Sequence, residues 1–177
     1  MASKRVGRYE LGRTLGEGTF AKVKFATDVE SQTHYAVKVF NREDMSRELQ
    51  RQIKEEIAII KHVRHPNVVN LREVLASRTH VYVVLELVTG GELFDKVATA
   101  GKLEEKHARV YFQQLIDGVA YCHERRVCHR DLKVRVAHTH ASAGHMCAPA
   151  AARLAFPRRP SDCFVPLVSN VAGELVA

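Results

Sequence analysis

Residues Leu15-Gly16-Glu17-Gly18-Thr19-Phe20-Ala21-Lys22-Val23 set two glycines two positions apart in an otherwise ordinary stretch. Gly16 and Gly18 let the backbone turn tightly and approach phosphate oxygens without a side chain in the way. The same spacing serves dinucleotide-binding βαβ units, but there the glycines open a helix. Here Val23 and Phe25 alternate with Lys22 and Lys24, the pattern of a strand. A strand, a glycine turn and a second strand make a flap over phosphates. Tyr35-Ala36-Val37-Lys38-Val39-Phe40 is β-branched and aromatic, hence another strand. With a period of two, Ala36 and Lys38 share one face while Val37 and Val39 pack the other. A small residue beside a lysine suits a flat base above and phosphates beyond. A lysine on an isolated strand would carry no such meaning; after a glycine flap it does.

The elements that must position these residues follow from periodicity. Residues 43–61 read as a helix whose Leu49, Ile53, Ile57 and Ile60 form one apolar stripe, with Arg51 and Glu55 paired on the solvent side. Glu56 lies beside that stripe, able to turn inward toward Lys38. Pro66 ends the helical region, because proline disfavours helix at the residue before it. Strands are expected over 68–75 and 80–87, and the second, apolar on both faces, must be central and buried. Glu86, Leu87 and Val88 end it before Gly90-Gly91, with backbone groups placed to read an adenine edge. Thr89 and Glu92 have capping-box spacing for a short helix through Asp95. Residues 104–124 carry the clearest helix, with Ala108, Tyr111, Phe112, Leu115, Val119 and Cys122 on one apolar face.

At 177 residues the chain fits one ordinary domain, and 46% hydrophobic with 27% charged residues describes a soluble one. The net charge of +7 permits acidic or phosphorylated partners, but its basic residues are interleaved with Asp and Glu, so nucleic acid is not expected. Four cysteines without a CxxC pair read as reduced thiols. The first residues lack an apolar run, Ala2 excludes N-myristoylation, and no stretch reaches the ~20 apolar residues of a membrane span. A cytoplasmic location is expected. Composition breaks after Lys133: residues 134–177 hold no lysine, two acidic residues, ten alanines and four of the five prolines. That segment is expected to be disordered. Its His138, His140, His145 and Cys147 are read as chance spacing and not as a metal site.

GEGTFAKV, YAVKVF, RHPNVV, VLELVTGGELFDKV and YFQQLIDGVAYCHERRVCHRDLK, in this order, resemble the plant calcineurin-B-like-interacting serine/threonine protein kinases, relatives of the SNF1 kinases. The resemblance covers about residues 8–133. It implies an α+β fold: a kinase small lobe of antiparallel sheet plus one helix and a hinge over 1–88, the first helices of the large lobe over 89–133, and a tail over 134–177 that is not kinase. It also implies ATP and magnesium as cofactors and protein hydroxyls as substrates, in calcium-sensor signalling. Leu15, Val23 and Ala36 would sandwich adenine, Gly16, Glu17 and Gly18 would cover the phosphates, and Lys38, oriented by Glu56, would bind them. Leu85 would be the gatekeeper, Glu86 and Val88 the hinge contacts, and Glu92 a ribose or substrate-arginine ligand. Asp131 would accept the substrate proton, with Lys133 beside the transferred phosphate. His129, Ile60 and Leu71 would belong to the spine joining the lobes.

The departures fall together at the composition break. Val136 stands where the kinase catalytic loop has its metal-binding Asn, and no Asp-Phe-Gly follows. Asp117-Gly118 precedes the HRDLK motif, inside a helix, and is not that metal-binding motif. The activation loop and the calcium-sensor-binding segment of the family are not found either. The chain is therefore read as a kinase domain truncated after HRDLK, through a retained intron or an erroneous gene model. Little or no activity is expected of it. The alternative is a catalytically dead nucleotide- or partner-binding fragment, or an unproductive isoform.

Overall fold

The computed structural model describes residues 4–18, 21–90 and 93–128. The expected disorder of 134–177 concerns residues outside that range. The element order is β1 (Lys4–Val6), β2 (Tyr9–Glu17), β3 (Ala21–Asp28), β4 (His34–Asn41), α1 (Arg47–Ile60), β5 (Leu71–Ala76), β6 (His80–Glu86), α2 (Leu93–Ala100) and α3 (Glu105–Glu124). The strands form one antiparallel sheet in the order β1-β2-β3-β4-β6-β5. The expected kinase-type small lobe is therefore present. β6 lies inside the sheet with Tyr82, Val83, Val84 and Leu85 buried, as its two-sided apolar run requires.

Each face of the sheet has its own core. On one, Ile53, Ile57 and Ile60 of α1 pack with Phe40, Val83 and Leu85. On the other, Tyr9, Leu11, Ala26, Val37, Tyr82 and Val84 pack together where the sheet curls on itself. The curl is tied by polar groups between strands that are not neighbours. The Tyr9 hydroxyl donates to Glu73 Oε1 of β5, and Arg8 joins the same oxygen at 3.2 Å and Asp28 at 3.1 Å. Buried Asp28 also accepts from the Glu30 N–H at 3.0 Å, so each of these buried groups is paired.

Three boundaries differ from the sequence expectation. α1 begins at Arg47 and not at residue 43, because Asn41 accepts from the Glu43 N–H and binds Asp44 in a turn, while the Ser46 hydroxyl accepts from the Leu49 N–H at 3.1 Å as a cap. β5 starts at Leu71, since residues 65–68 close a tight loop through a His65–Val68 bridge. α2 runs on to Ala100; its capping box falls on Glu92, outside the described residues. β1 was not expected at all. Three residues are too few for periodicity to register, and Gly7 at φ +57 makes the turn that folds β1 back on β2.

α3 docks on the loop between α1 and β5. The Tyr121 hydroxyl accepts from the Arg64 N–H at 3.0 Å, its ring lies 4.7 Å from that of His65, and Val127 enters the α1 core. A Cβ on Gly118 would lie 2.9 Å from the Asn67 carbonyl oxygen, so only glycine permits this approach. The helix ends with the Val127 N–H bonded to the Cys122 carbonyl at 2.9 Å and Arg126 at φ 60. This is the left-handed cap that glycine normally fills. Two substitutions should therefore run against each other. Gly118→Ala gains about 1 kcal/mol of helix propensity but overpacks a backbone contact by about 1–3 kcal/mol, so it should lower the melting temperature. Arg126→Gly relieves the left-handed strain and should raise stability by about 1 kcal/mol. Thermal or urea unfolding of both variants checks the pair; a more stable Gly118→Ala protein refutes the packing account.

Candidate functional site

The register of three strands builds the site. Val23 of β3 and Val83 of β6 stand opposite Lys38 of β4, and Phe25 and Leu85 stand opposite Ala36. The alternation read from sequence is correct: Ala36 and Lys38 share the face turned toward α1, and Val37 packs the other core. Val23, Ala36 and Leu85 are buried there, and Lys38, only 4% exposed, lies among them. Its Nζ is 5.5 Å from the centroid of the Phe40 ring.

Glu56 meets this face from α1. It follows Ile53 by three residues and precedes Ile60 by four, so helical geometry puts it in the buried stripe. It is 5% exposed, and its Oε2 is buried without a hydrogen-bond partner. Burial pushes the Glu56 carboxyl above the usual carboxylate range, and the Lys38 charge pulls it partly back. Ile60 and Leu71, two residues assigned to the lobe-joining spine, share the α1 core.

The flap comprises the end of β2 and the start of β3, with register shifts at Leu11/Thr14 and Thr14/Gly16. Leu15 and Gly16 are half-buried. The Gly18 N–H closes the tip by donating to the Ala21 carbonyl at 2.8 Å, and Glu17 pairs with Lys22 at 2.6 Å on the surface. Gly18 thus uses its N–H, and Glu17 its carboxylate, within the flap itself.

At the hinge, the Glu86 N–H is committed to the Asn70 carbonyl at 2.9 Å, and Glu86 Oε2 accepts from the Asn70 N–H and side-chain amide at 3.3 and 2.9 Å. Val88 is half-buried, and among the described residues its backbone makes no hydrogen bond. Asn70 is the site residue that sequence reasoning missed: a polar residue between two strands carries no signal of its partner sixteen positions on. Glu92, His129, Asp131 and Lys133 lie outside the described residues, so of the expected site only the residues of β2, β3, β4, α1 and the hinge are placed.

Val136 offers no donor atom, and among the described residues no group of His, Cys, Asp and Glu could hold a metal ion. Among those residues also, no helix is long and apolar enough to cross a membrane.

Comparison with known proteins agrees with this geometry. The protein kinase domain model matches residues 9–135. CBL-interacting protein kinase 24 of Oryza sativa subsp. japonica is 60% identical over 131 residues, 73% of this chain and 29% of that protein. CBL-interacting serine/threonine-protein kinase 8 of Arabidopsis thaliana is 59% identical over 134 residues, 75% of this chain and 30% of its own length. The chain thus spans about 30% of the length of the curated relatives it matches. With a glycine-bearing turn between β2 and β3, a buried lysine on β4 and a buried glutamate on α1 whose carboxyl feels that lysine's charge, the chain belongs to the protein kinase domain family, on the side of the CBL-interacting serine/threonine kinases.

Proposed function

We propose that residues 1–88 act as the nucleotide-binding small lobe and hinge of a cytoplasmic serine/threonine kinase, and 89–133 as the start of its large lobe. The observation that carries this is Glu56, buried in an apolar stripe with Lys38 as its counter-charge. Burying a carboxylate is costly, and the arrangement makes sense where the lysine must be aimed at phosphates. In ATP, the base would lie between Leu15, Val23 and Ala36, with its edge at the Glu86–Val88 backbone, and Glu92 near the ribose. Lys38 would neutralise the phosphates beneath Gly16 and Gly18. Asp131 and Lys133 would serve the substrate hydroxyl and the transferred phosphate. Protein substrates and a calcium-sensor context are proposed from the relatives' kind.

For this sequence, phosphoryl transfer is proposed to be weak or absent. Phosphoryl transfer rests on positioning and on metal ions that neutralise charge. A positioned base contributes about 10²–10⁴-fold, too little to replace them. Val136, where the kinase catalytic loop has its metal-binding Asn, therefore favours a second reading, a chain that holds nucleotide or a kinase partner without turning it over.

ATP at ten times its Kd should stabilise the chain by about 1.4 kcal/mol, a melting shift of several degrees. Lys38→Met should abolish the shift while the protein still melts cooperatively. No shift at millimolar ATP sinks the nucleotide reading, and metal-dependent phosphorylation that Lys38→Met removes sinks the inactive one. A second test uses pH. The folded pKa of Glu56 is raised, so the native state binds the extra proton between the unfolded and folded values, and stability falls as pH rises through that window. Measured by urea unfolding from about pH 4 upward, the parent chain should lose stability relative to Glu56→Gln across the window and then level off. A difference that does not change with pH would show Glu56 to be solvated.

A further inference from the structure

Beside the hinge lies a cavity of about 550 Å³. Residues 33–35 at the start of β4, Arg64 in the loop after α1, residues 70–72 and the hinge residues Glu86 and Leu87 line it. Its volume falls in the range of small-ligand sites. Two features set it apart from an ordinary groove. First, the guanidinium groups of Arg64 and Arg72 have no ion-pair or hydrogen-bond partner among the described residues, a state shared by Arg13, Arg47 and Arg78, but these two line one cavity. Second, both arginines are placed by the backbone. The β5–β6 register passes from Leu71 opposite Leu85 to Glu73 opposite Val84, which leaves Arg72 as the extra residue of a bulge. Bulges re-aim the side chain they carry. Arg64 is fixed at its own N–H, which donates to the Tyr121 hydroxyl at 3.0 Å.

The polar surroundings suit an anion. The one carboxylate in the lining, Glu86, already accepts two hydrogen bonds from Asn70 on Oε2. His34 uses Nδ1 toward Thr27 at 3.3 Å, which leaves its other ring nitrogen for a ligand. Two guanidinium forks, an imidazole nitrogen and the Thr33 hydroxyl supply donors from several elements. A carboxylate presents two coplanar oxygens, which one fork satisfies; a phosphate monoester presents three, arranged tetrahedrally, and carries up to two charges. We propose that this cavity is a phosphate-monoester site, held by Arg64 and Arg72 and separate from the residues expected to hold the nucleotide.

The test uses the full chain carrying Lys38→Met, so that the nucleotide face contributes nothing. Inorganic phosphate and a phosphoserine peptide are titrated at constant ionic strength, with sodium chloride and the unphosphorylated peptide as controls, and thermal melting is followed. Either phosphate probe should raise the melting temperature where both controls do not. Arg64→Gln and Arg72→Gln should each weaken the apparent affinity about tenfold, and together abolish the shift. Both side chains are exposed, so the unliganded melting temperature should hold; should it fall, Arg64→Lys and Arg72→Lys keep the charge and must still weaken binding by losing the fork. A phosphopeptide that binds at least tenfold tighter than inorganic phosphate assigns the site to a phosphorylated protein segment, and equal affinities assign it to free phosphate. The proposal is overturned if neither probe shifts the melting curve at about 10 mM, or if the double glutamine variant shifts as the parent does.

Discussion

A lysine and a glutamate buried in one apolar face impose the strictest condition on this chain. Lys38 and Glu56 are 4% and 5% exposed, and an unpaired charge in such surroundings costs several kcal/mol. Each eases the burial of the other: the Lys38 charge pulls the Glu56 carboxyl part of the way back toward its ordinary range. The lysine is fixed by strand register, which seats it between Val23 and Val83. The glutamate is fixed by the phase of α1, set by Ile53, Ile57 and Ile60 on the same stripe. A slip of one residue in either element would turn its charged group to the wrong side. Sheet register and helix docking are therefore one constraint, expressed at one pair of side chains.

The sheet can meet that constraint because both of its faces are apolar and each has its own cover. α1 covers one. The other is covered by the sheet itself, curled until β2 and β5 approach through Tyr9 and Glu73. Desolvation and the bond to Glu73 both raise the pKa of the Tyr9 hydroxyl, which keeps it a donor. Fixing the curl fixes the angle at which β4 and β6 present Ala36, Lys38 and Leu85.

Local signals were legible where one periodicity dominated. The alternation of 35–40 and the two-sided run of 81–85 gave the strands and the central position of β6 directly, while the stripe of α1 allowed the inward turn of Glu56 without requiring it, since a helical glutamate is more often solvated. The beginnings of elements were less legible, because short polar contacts decide them: Ser46 with Leu49, Asn41 with Asp44. Pairings between distant residues were not legible at all. Nothing in Asn70 announces Glu86, and Gly118 reads as a helix weakness until Asn67 is placed against it. Of the flap's two glycines, Gly16 lies within β2 opposite Val23, and Gly18 spends its N–H on closing the tip. Residue type gave the element there, but not the direction of its donors.

α3 is held differently from everything else. It touches the rest of the described structure along one edge, through Gly118, Tyr121 and the residues up to Val127, while Phe112 is 62% and Leu115 37% exposed. Full burial of such side chains is worth about 1.5–3 kcal/mol each, so this helix realises only part of the stabilisation its apolar face offers. An element attached along one edge opens before the sheet does. Its attachment nevertheless reaches the nucleotide face. Val127 and Val63 share a core with Ile57 and Ile60, and the loop that Tyr121 grips continues directly from α1. Loosening α3 would leave Ile60 less well packed and free the end of the helix that carries Glu56. The placing of Glu56 therefore depends on a helix that comes much later in the chain, through apolar contacts and one hydroxyl.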